Sequence, residues 1–417
     1  MTSPVIDPVI EKTAHTVPRS PWSGQASKEE LAHWRQIAQG VAAALSPDVL
    51  ERDRRNEDPH TEVELLRNSG LINLIIPREW GGEGGHWESA LHAVRILSRV
   101  DASIGQILAY HYANLGAVVF YGSPQVQELW LRRSALGRWS WGDSVNPVDP
   151  NLELVPAGDG YRLTGVKHFS TGASVGDAIL VNAVVNGGAD NGKFLALALE
   201  HDREGVQFLG DWDALGQRLS ASGSVKYDGV RVTSADIIGE VGDEPFSTLV
   251  TPYIQLAFGN LYLGIAEGSL ERGRQITLAR RNSWFLSSVD TYAQDPLTQR
   301  VYGELSSRIA AVEALADKIG TEFDAVIARG NELTADERAR VAISIAQLKV
   351  VSTEVGVEVA NRIFEVTGSS SAKTETGLDI FWRNVRTHTL HDPVDYKKVE
   401  VGANYLLGEV QPISLYT

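Results

Sequence analysis

The chain has 417 residues, 43% of them apolar and 22% charged, with a formal net charge of −15 and no cysteine. That length holds two or three domains with sizeable cores, and the acidic balance argues against a nucleic-acid partner, whose phosphates are held by basic patches. Disulfides and thiolate catalysis are excluded, no run approaches the roughly 18 apolar residues of a membrane span, and the N-terminus lacks a charged-then-apolar signal pattern, so a cytoplasmic protein with no membrane partner is expected.

Residues 1–25 carry Pro4, Pro8, Pro18 and Pro21 among Ser and Thr without a period, and read as a loose arm. Leu31, Trp34, Ile37 and Val41 then predict a helix over 29–44 behind Ser27 as N-cap. Further helices are expected over 61–69, 87–98 and 102–119, with the Gly-rich break 77–85 among them. Between 140 and 239, alternating or β-branched runs at 161–163, 177–185, 193–200 and 225–232 are separated by dense turn signals, the pattern of an antiparallel barrel or sandwich. Long helices return at 251–281, 296–329, 335–367 and 392–407. The division expected is a helical domain over 26–138, a β-barrel domain over 139–245 and a helical bundle over 246–417, an α+β chain that is mainly α.

Four local patterns stand in register. Pro77-Arg-Glu-Trp-Gly-Gly82 resembles the "PxxYGG" turn of the acyl-CoA dehydrogenase superfamily, and Gly160-Tyr-Arg-Leu-Thr-Gly-Val-Lys-His-Phe-Ser-Thr-Gly-Ala173 resembles its "GxxLxGxKxxxTxA" strand pair. Leu215-Gly-Gln-Arg-Leu-Ser220 with 225–230 resembles its exit from the barrel. Phe381-Trp-Arg-Asn-Val-Arg-Thr-His-Thr-Leu-His-Asp-Pro-Val394 resembles the signature of the dibenzothiophene monooxygenase branch. The resemblance covers about residues 30–410. It implies an N-terminal helical domain, a middle antiparallel β-barrel, a C-terminal four-helix bundle and a homotetramer. Dehydrogenases commonly carry Glu-Gly-Thr where this chain has His391-Asp392-Pro393, so the usual carboxylate base is missing from that loop. Thr367-Gly-Ser-Ser-Ser371 replaces a Gly-Gly-rich stretch that serves FAD, which favours FMN over FAD.

The branch implies reduced FMN, made by a separate flavin reductase, and O₂ as co-substrate. Oxygen then passes through a C4a-hydroperoxyflavin to a small apolar substrate, at sulfur or an electron-rich aromatic. That chemistry needs a dry wall, donors to the flavin and a polar group near the peroxide. Trp139, Trp141, Phe169 and Trp284 are candidates for the wall, and each reads equally well as a plain core aromatic. The resemblance lays Lys167, His168, Phe169, Ser170 and Thr171 along the flavin, with the Thr171 hydroxyl in contact, and sets Asp143, Ser144 and Val145 at the pyrimidine edge. The family resembled carries Asn at the place of Asp143; an ionised Asp accepts but does not donate. Tyr110 is placed against the flavin, and His111, on another face of the same helix, reads as a satisfied core histidine. Gln106 and the indoles of Trp141 and Trp284 are assigned to the substrate side. Desulfurising members have His at Gln106, which puts dibenzothiophene itself in doubt.

His391 is the candidate partner of the peroxide, because imidazole titrates near neutrality and can pass a proton; His388 lies one helical turn before it. Capping or packing roles are open for both. Two histidines without a clustered third ligand do not make a metal site. Arg280 and Arg281 are candidates for the phosphate, completed by Ser369 and Ser370 from a neighbouring chain. Gly172-Ala-Ser-Val-Gly176 fits a hydrolase nucleophile pattern but is followed by a strand-like run, so it is set aside. The rival readings are an FAD-dependent acyl-CoA dehydrogenase or flavin oxidase with Glu267 as base, and a flavin-binding protein without catalysis.

Overall fold

The computed structural model describes residues 20–146, 149, 152–414 and 416–417; most of the expected loose arm lies outside them. The part of the arm that is described docks on the helices: Trp22 is buried, its Nε1 donates to the Ile75 carbonyl at 2.7 Å, and its ring meets Trp87 edge-on at 5.0 Å.

Six helices come first: α1 (Lys28–Leu45), α2 (Val49–Arg55), α3 (His60–Ser69), α4 (Trp87–Ser98), α5 (Ala102–Tyr121) and α6 (Pro124–Gly137). Side chains that satisfy the first amide groups define their starts. Ser27 accepts from Glu30 N on α1, Asp101 accepts from Ser103 N and Ile104 N on α5, and Ser123 precedes a proline that fits the first turn of α6. Helix α5 is buried on all sides from Ala102 to Phe120. It lies between α4, α7 and the first strand, and so carries its side chains to the junction of the layers.

Eight strands follow: β1 (Trp141–Ser144), β2 (Leu152–Ala157), β3 (Gly160–Lys167), β4 (Ala178–Val184), β5 (Phe194–Glu200), β6 (Val206–Phe208), β7 (Val225–Val232) and β8 (Ile237–Glu240). Among the described residues they form two four-stranded sheets, β1-β4-β5-β8 and β2-β3-β7-β6, and no closed sheet. Strands β1 and β4 run parallel, so the sheet region is not wholly antiparallel. Period-two alternation records which side chains face a core, and it is the same whether a sheet closes or not. Here Leu154, Leu163, Val181, Leu197, Tyr227 and Val230 form the core that the sheets share.

The remaining helices are α7 (Val250–Ala279), α8 (Pro296–Ile327), α9 (Ala335–Arg362), α10 (Phe364–Thr367), α11 (Asp379–His388) and α12 (Val394–Leu407). A reciprocal Thr334–Glu337 capping box starts α9. Contrary to the expectation that nothing approaches a membrane span, residues 247–279 are long and apolar enough to be one; 83% of the tested window is buried inside the protein, however, and α7 is packed against α4, α5, α8 and α9. Helices α7 and α9 approach closely at Gly259 and Gly356. A Cβ on Gly259 would lie 2.8 Å from Leu348, and one on Gly356 would lie 3.3 Å from Tyr262 Cβ. That approach brings Tyr262 on α7 to Lys349 on α9.

Candidate active site

Gln106 and Tyr110, one turn apart on α5, are both buried. They face the 170–173 turn, which lies directly on β1: a Cβ on Gly142 would sit 2.4 Å from the Ala173 backbone. Asp143 N donates to the Thr171 carbonyl at 3.1 Å, and Ser144 and Ser170 share a 2.8 Å hydroxyl contact. The Thr171 hydroxyl is the hub. It accepts from Gln106 Nε2 at 3.3 Å, meets Ser222 Oγ at 2.9 Å and bonds to the Tyr110 phenol. Ser222 continues to Ser220 at 2.7 Å. Burial, outweighing a backbone hydrogen bond from Thr171, pushes the Asp143 carboxyl well above the usual range. Burial thus disfavours the carboxylate form of this side chain.

Lys167 and His168 are anchors within the sheet region. Lys167 Nζ donates to the Asp149 carbonyl, His168 N donates to Asp149 Oδ2 at 2.9 Å, and His168 Nδ1 meets Ser224 Oγ at 2.8 Å. Phe169, at φ +58°, is exposed beside Trp212, and Val145 is half-buried against the main core.

The second wall comes from the C-terminal helices. His388 ends α11, and His391 lies in the turn before α12; the rings are nearly parallel, with centroids 5.9 Å apart. Phe258 on α7 packs edge-on against both, at 4.5 Å and 4.9 Å, and lies 6.0 Å from Tyr110. It links the two walls. His388 is buried, with Nδ1 3.0 Å from the Tyr262 hydroxyl, whereas His391 is exposed on one side and has Nδ1 3.4 Å from Asp392 Oδ1. Lys349 Nζ lies 3.0 Å from Asp392 Oδ1, 3.3 Å from the Tyr262 hydroxyl and 4.5 Å from the centre of the Phe258 ring. Gln255 Nε2 donates to the other Asp392 oxygen at 3.2 Å. Burial lowers the Lys349 ammonium to about 8 and holds His388 well below its ordinary value, so His388 is neutral. Burial opposes ionisation of Asp392, but the His391 hydrogen bond and the Lys349 charge prevail and hold it well below the carboxylate range.

Three expected wall or pocket residues lie elsewhere. Trp141 is fully buried, its Nε1 donates to Ser134 on α6 at 2.9 Å and its ring packs on Trp130, so it belongs to the helical core. Trp139 joins that group and lies under the Arg133 guanidinium. Trp284 is 60% exposed beside exposed Phe285 and Leu286. The aromatic surface of the candidate site is instead Tyr110, Phe258 and Tyr262. Arg280 stacks over Tyr292 at 4.1 Å and donates to the Thr367 carbonyl at 3.2 Å, so it meets the 367–371 turn of its own chain; Ser369, Ser370 and Arg281 are exposed nearby in sequence. Glu267 pairs with Arg99 at 2.6 Å in a separate cavity of about 1120 Å³ between α2, α7 and α8. Residues 173–175 form a short 3₁₀ turn that leads into β4, without the helix a nucleophile elbow requires.

Lys349, Tyr262, Phe258, Gln255, Ser220 and Ser222 escaped the sequence reading. The signal for Lys349 was present: it shares a helical face with Ala342, Ile345 and Gly356, small or apolar residues among which a charge needs a buried partner. Several buried side-chain atoms lack a partner, and Gln106 Oε1, Gln255 Oε1 and His388 Nε2 are the ones on residues of this site. They sit on the two walls that Phe258 joins, as a polar, planar group with donors and acceptors along its edge would require.

Residues 27–138 match the model of the acyl-CoA dehydrogenase N-terminal domain, and residues 256–396 match that of an acyl-CoA dehydrogenase C-terminal domain. The probable FMNH₂-dependent monooxygenase SfnC of Pseudomonas putida is 37% identical over 90% of this chain and 95% of its own. The methanesulfinate monooxygenase MsuC of Pseudomonas fluorescens superposes with a TM-score of 0.89 at 35% identity, over 92% of this chain and 99% of the other. The FMN-bound dibenzothiophene monooxygenase TdsC of Paenibacillus sp. A11-2 does so with a TM-score of 0.89 at 32% identity, over 92% of this chain and 100% of the other.

Proposed function

The chain belongs to the acyl-CoA dehydrogenase family, in its dibenzothiophene monooxygenase branch, and from that premise we propose that it is a reduced-FMN-dependent monooxygenase acting at sulfur in a small, largely apolar substrate. A separate flavin reductase supplies the reduced FMN. One atom of O₂ goes to the substrate and the other leaves as water, while the two electrons and two protons come from FMNH₂.

The observation that carries this reading is the state of the one carboxylate beside His391. A base that removes a proton α to a thioester needs a pKa near the working pH. Asp392 is held well below the carboxylate range by His391 and Lys349, and Glu267 is engaged by Arg99 in another cavity. Neither suits dehydrogenation.

Bound reduced FMN supplies the electrons that activate O₂. The residues do the rest. Tyr110, the Thr171 hydroxyl, the Asp143 carboxyl, Ser144 and Val145 line the ring on the sheet side. Arg280, with Ser369 and Ser370, holds the phosphate of a neighbouring copy's flavin, because Arg280 lies roughly 30 Å along α7 from Phe258 of its own chain. Phe258 and Tyr262 keep water out. His391, with one side open, holds and returns a proton at its ring nitrogen. Gln106 borders the substrate; with glutamine in place of the histidine of desulfurising members, dibenzothiophene is not the favoured substrate. Four copies associate through the C-terminal bundle, supported by the exposed apolar side chains of α12 at Tyr396, Val399, Tyr405 and Leu406. The test is to mix the protein with anaerobically reduced FMN, admit O₂, and follow oxygenated product from methanesulfinate, dibenzothiophene and indole. Product that requires both reduced FMN and O₂ is expected. Oxidation of an acyl-CoA by a dye acceptor without O₂ would overturn the reading.

A further inference from the structure

Lys349 is 1% exposed in its side chain, and the chemistry above gives its ammonium no role beyond its charge on Asp392. It faces Asp392 and His391 in the turn before α12, Tyr262 on α7, His388 on α11 and, more distantly, Lys397 on α12. Its ammonium has donors only, so toward the Tyr262 phenol at 3.3 Å it must donate to the oxygen. A phenol whose oxygen accepts from a cation becomes a stronger donor and a poorer acceptor. Its own proton then goes to His388 Nδ1 at 3.0 Å in preference to the His388 carbonyl at 3.2 Å. A neutral imidazole that accepts at Nδ1 carries its hydrogen on Nε2, and His388 Nε2 is buried without a partner.

We infer that Lys349 is a positioning residue which, through the Tyr262 hydroxyl, fixes His388 as the Nε2–H tautomer and so keeps one buried N–H donor available to reduced FMN. The assignment rests on the flavin reading for the identity of the ligand, but the tautomer itself does not. Asp392 completes the device. Held by Gln255 at one oxygen, it offers the other to both Lys349 and His391, so the same ammonium that polarises Tyr262 also limits the negative charge beside His391.

The tautomer is read by ¹⁵N NMR of the imidazole nitrogens in the full-length protein at pH 7, first without flavin, with the His388 signals assigned by their loss in His388→Asn. In the wild type, Nδ1 is expected unprotonated and Nε2 protonated. Lys349→Met keeps the length of the side chain and removes the charge; Tyr262→Phe keeps the ring and removes the relay. Both are expected to raise the Nδ1–H population of His388. A wild type protonated at Nδ1, or two variants that keep the wild-type tautomer ratio, overturns the inference. Anaerobically reduced FMN is then added to the wild type. The Nε2–H resonance is expected to shift, and an unmoved resonance refutes the assignment of that donor to the cofactor. Failure of oxygen transfer in the wild type would instead count against the functional reading and leave the tautomer result standing.

Discussion

Substituting His111 with leucine tests whether a buried histidine far from the chemistry holds the sheet edge on which the site is built. His111 is fully buried on α5; its Nε2 lies 2.7 Å from the Ile72 carbonyl and its Nδ1 accepts from Trp141 N, the first residue of β1, at 3.1 Å. The ring is thus a neutral Nε2–H tautomer, and a second proton would point at an amide donor. Burial lowers its pKa from 6.5 to about 4. Between those values the unfolded chain binds the proton and the folded one does not, so this contribution to stability is complete above pH 6.5 and lost as pH falls toward 4. At about 1.4 kcal/mol per unit, the loss amounts to about 3 kcal/mol. Leucine leaves the Ile72 carbonyl and the Trp141 amide unpaired, at about 1–3 kcal/mol each. The variant should therefore be less stable by about 2–6 kcal/mol at pH 7.5, with the gap narrowing by about 3 kcal/mol by pH 4. Urea denaturation of both proteins, followed by tryptophan fluorescence at several pH values, measures the difference and cancels the titration of other groups. A gap that does not change with pH would refute the argument.

Three further outcomes follow from the site. Asp143→Asn replaces a carboxyl whose ionised form burial disfavours with an amide; because the folded pKa of Asp143 is raised, its cost is absent below about pH 4 and grows as pH rises, so the variant should melt higher than the wild type at pH 7, match it at pH 4 and bind FMN as well. Equal melting curves at pH 7 would contradict this. His391→Ala should bind reduced FMN normally yet form product about 10²–10⁴-fold more slowly, with O₂ consumption appearing as hydrogen peroxide; an unchanged product rate would remove His391 from the reaction. In Gly368→Ala the new Cβ would lie 1.9 Å from Arg280 Nη1 at a backbone φ of +76°, so the guanidinium must move. Losing a charge-assisted bond should weaken reduced-FMN binding about 10–100-fold, measured by anaerobic fluorescence titration, and unchanged affinity would separate Arg280 from the phosphate.

Much of this protein was legible in the sequence. Helical spacing located α1, α3, α4 and the long C-terminal helices to within a few residues, because a 3.6-residue apolar stripe records burial along one element. Motif order identified the family, and His391-Asp392-Pro393 marked the loss of the dehydrogenase carboxylate. The histidine pair at 388 and 391 was visible because its spacing is local. Periodicity does not record which buried faces meet. That Trp141 turns to Trp130 and Ser134, into the helical core, depends on how α6 lies over β1. The same holds for the strands, whose alternation is identical in an open and a closed sheet. Lys349 and Tyr262 are 87 residues apart, and only the close crossing of α7 and α9 makes them partners. The charge states of Asp143, Asp392 and His388 were likewise decided by the tertiary structure, because desolvation and the choice of counter-charge are properties of a packed interior, and the sequence alone contains neither.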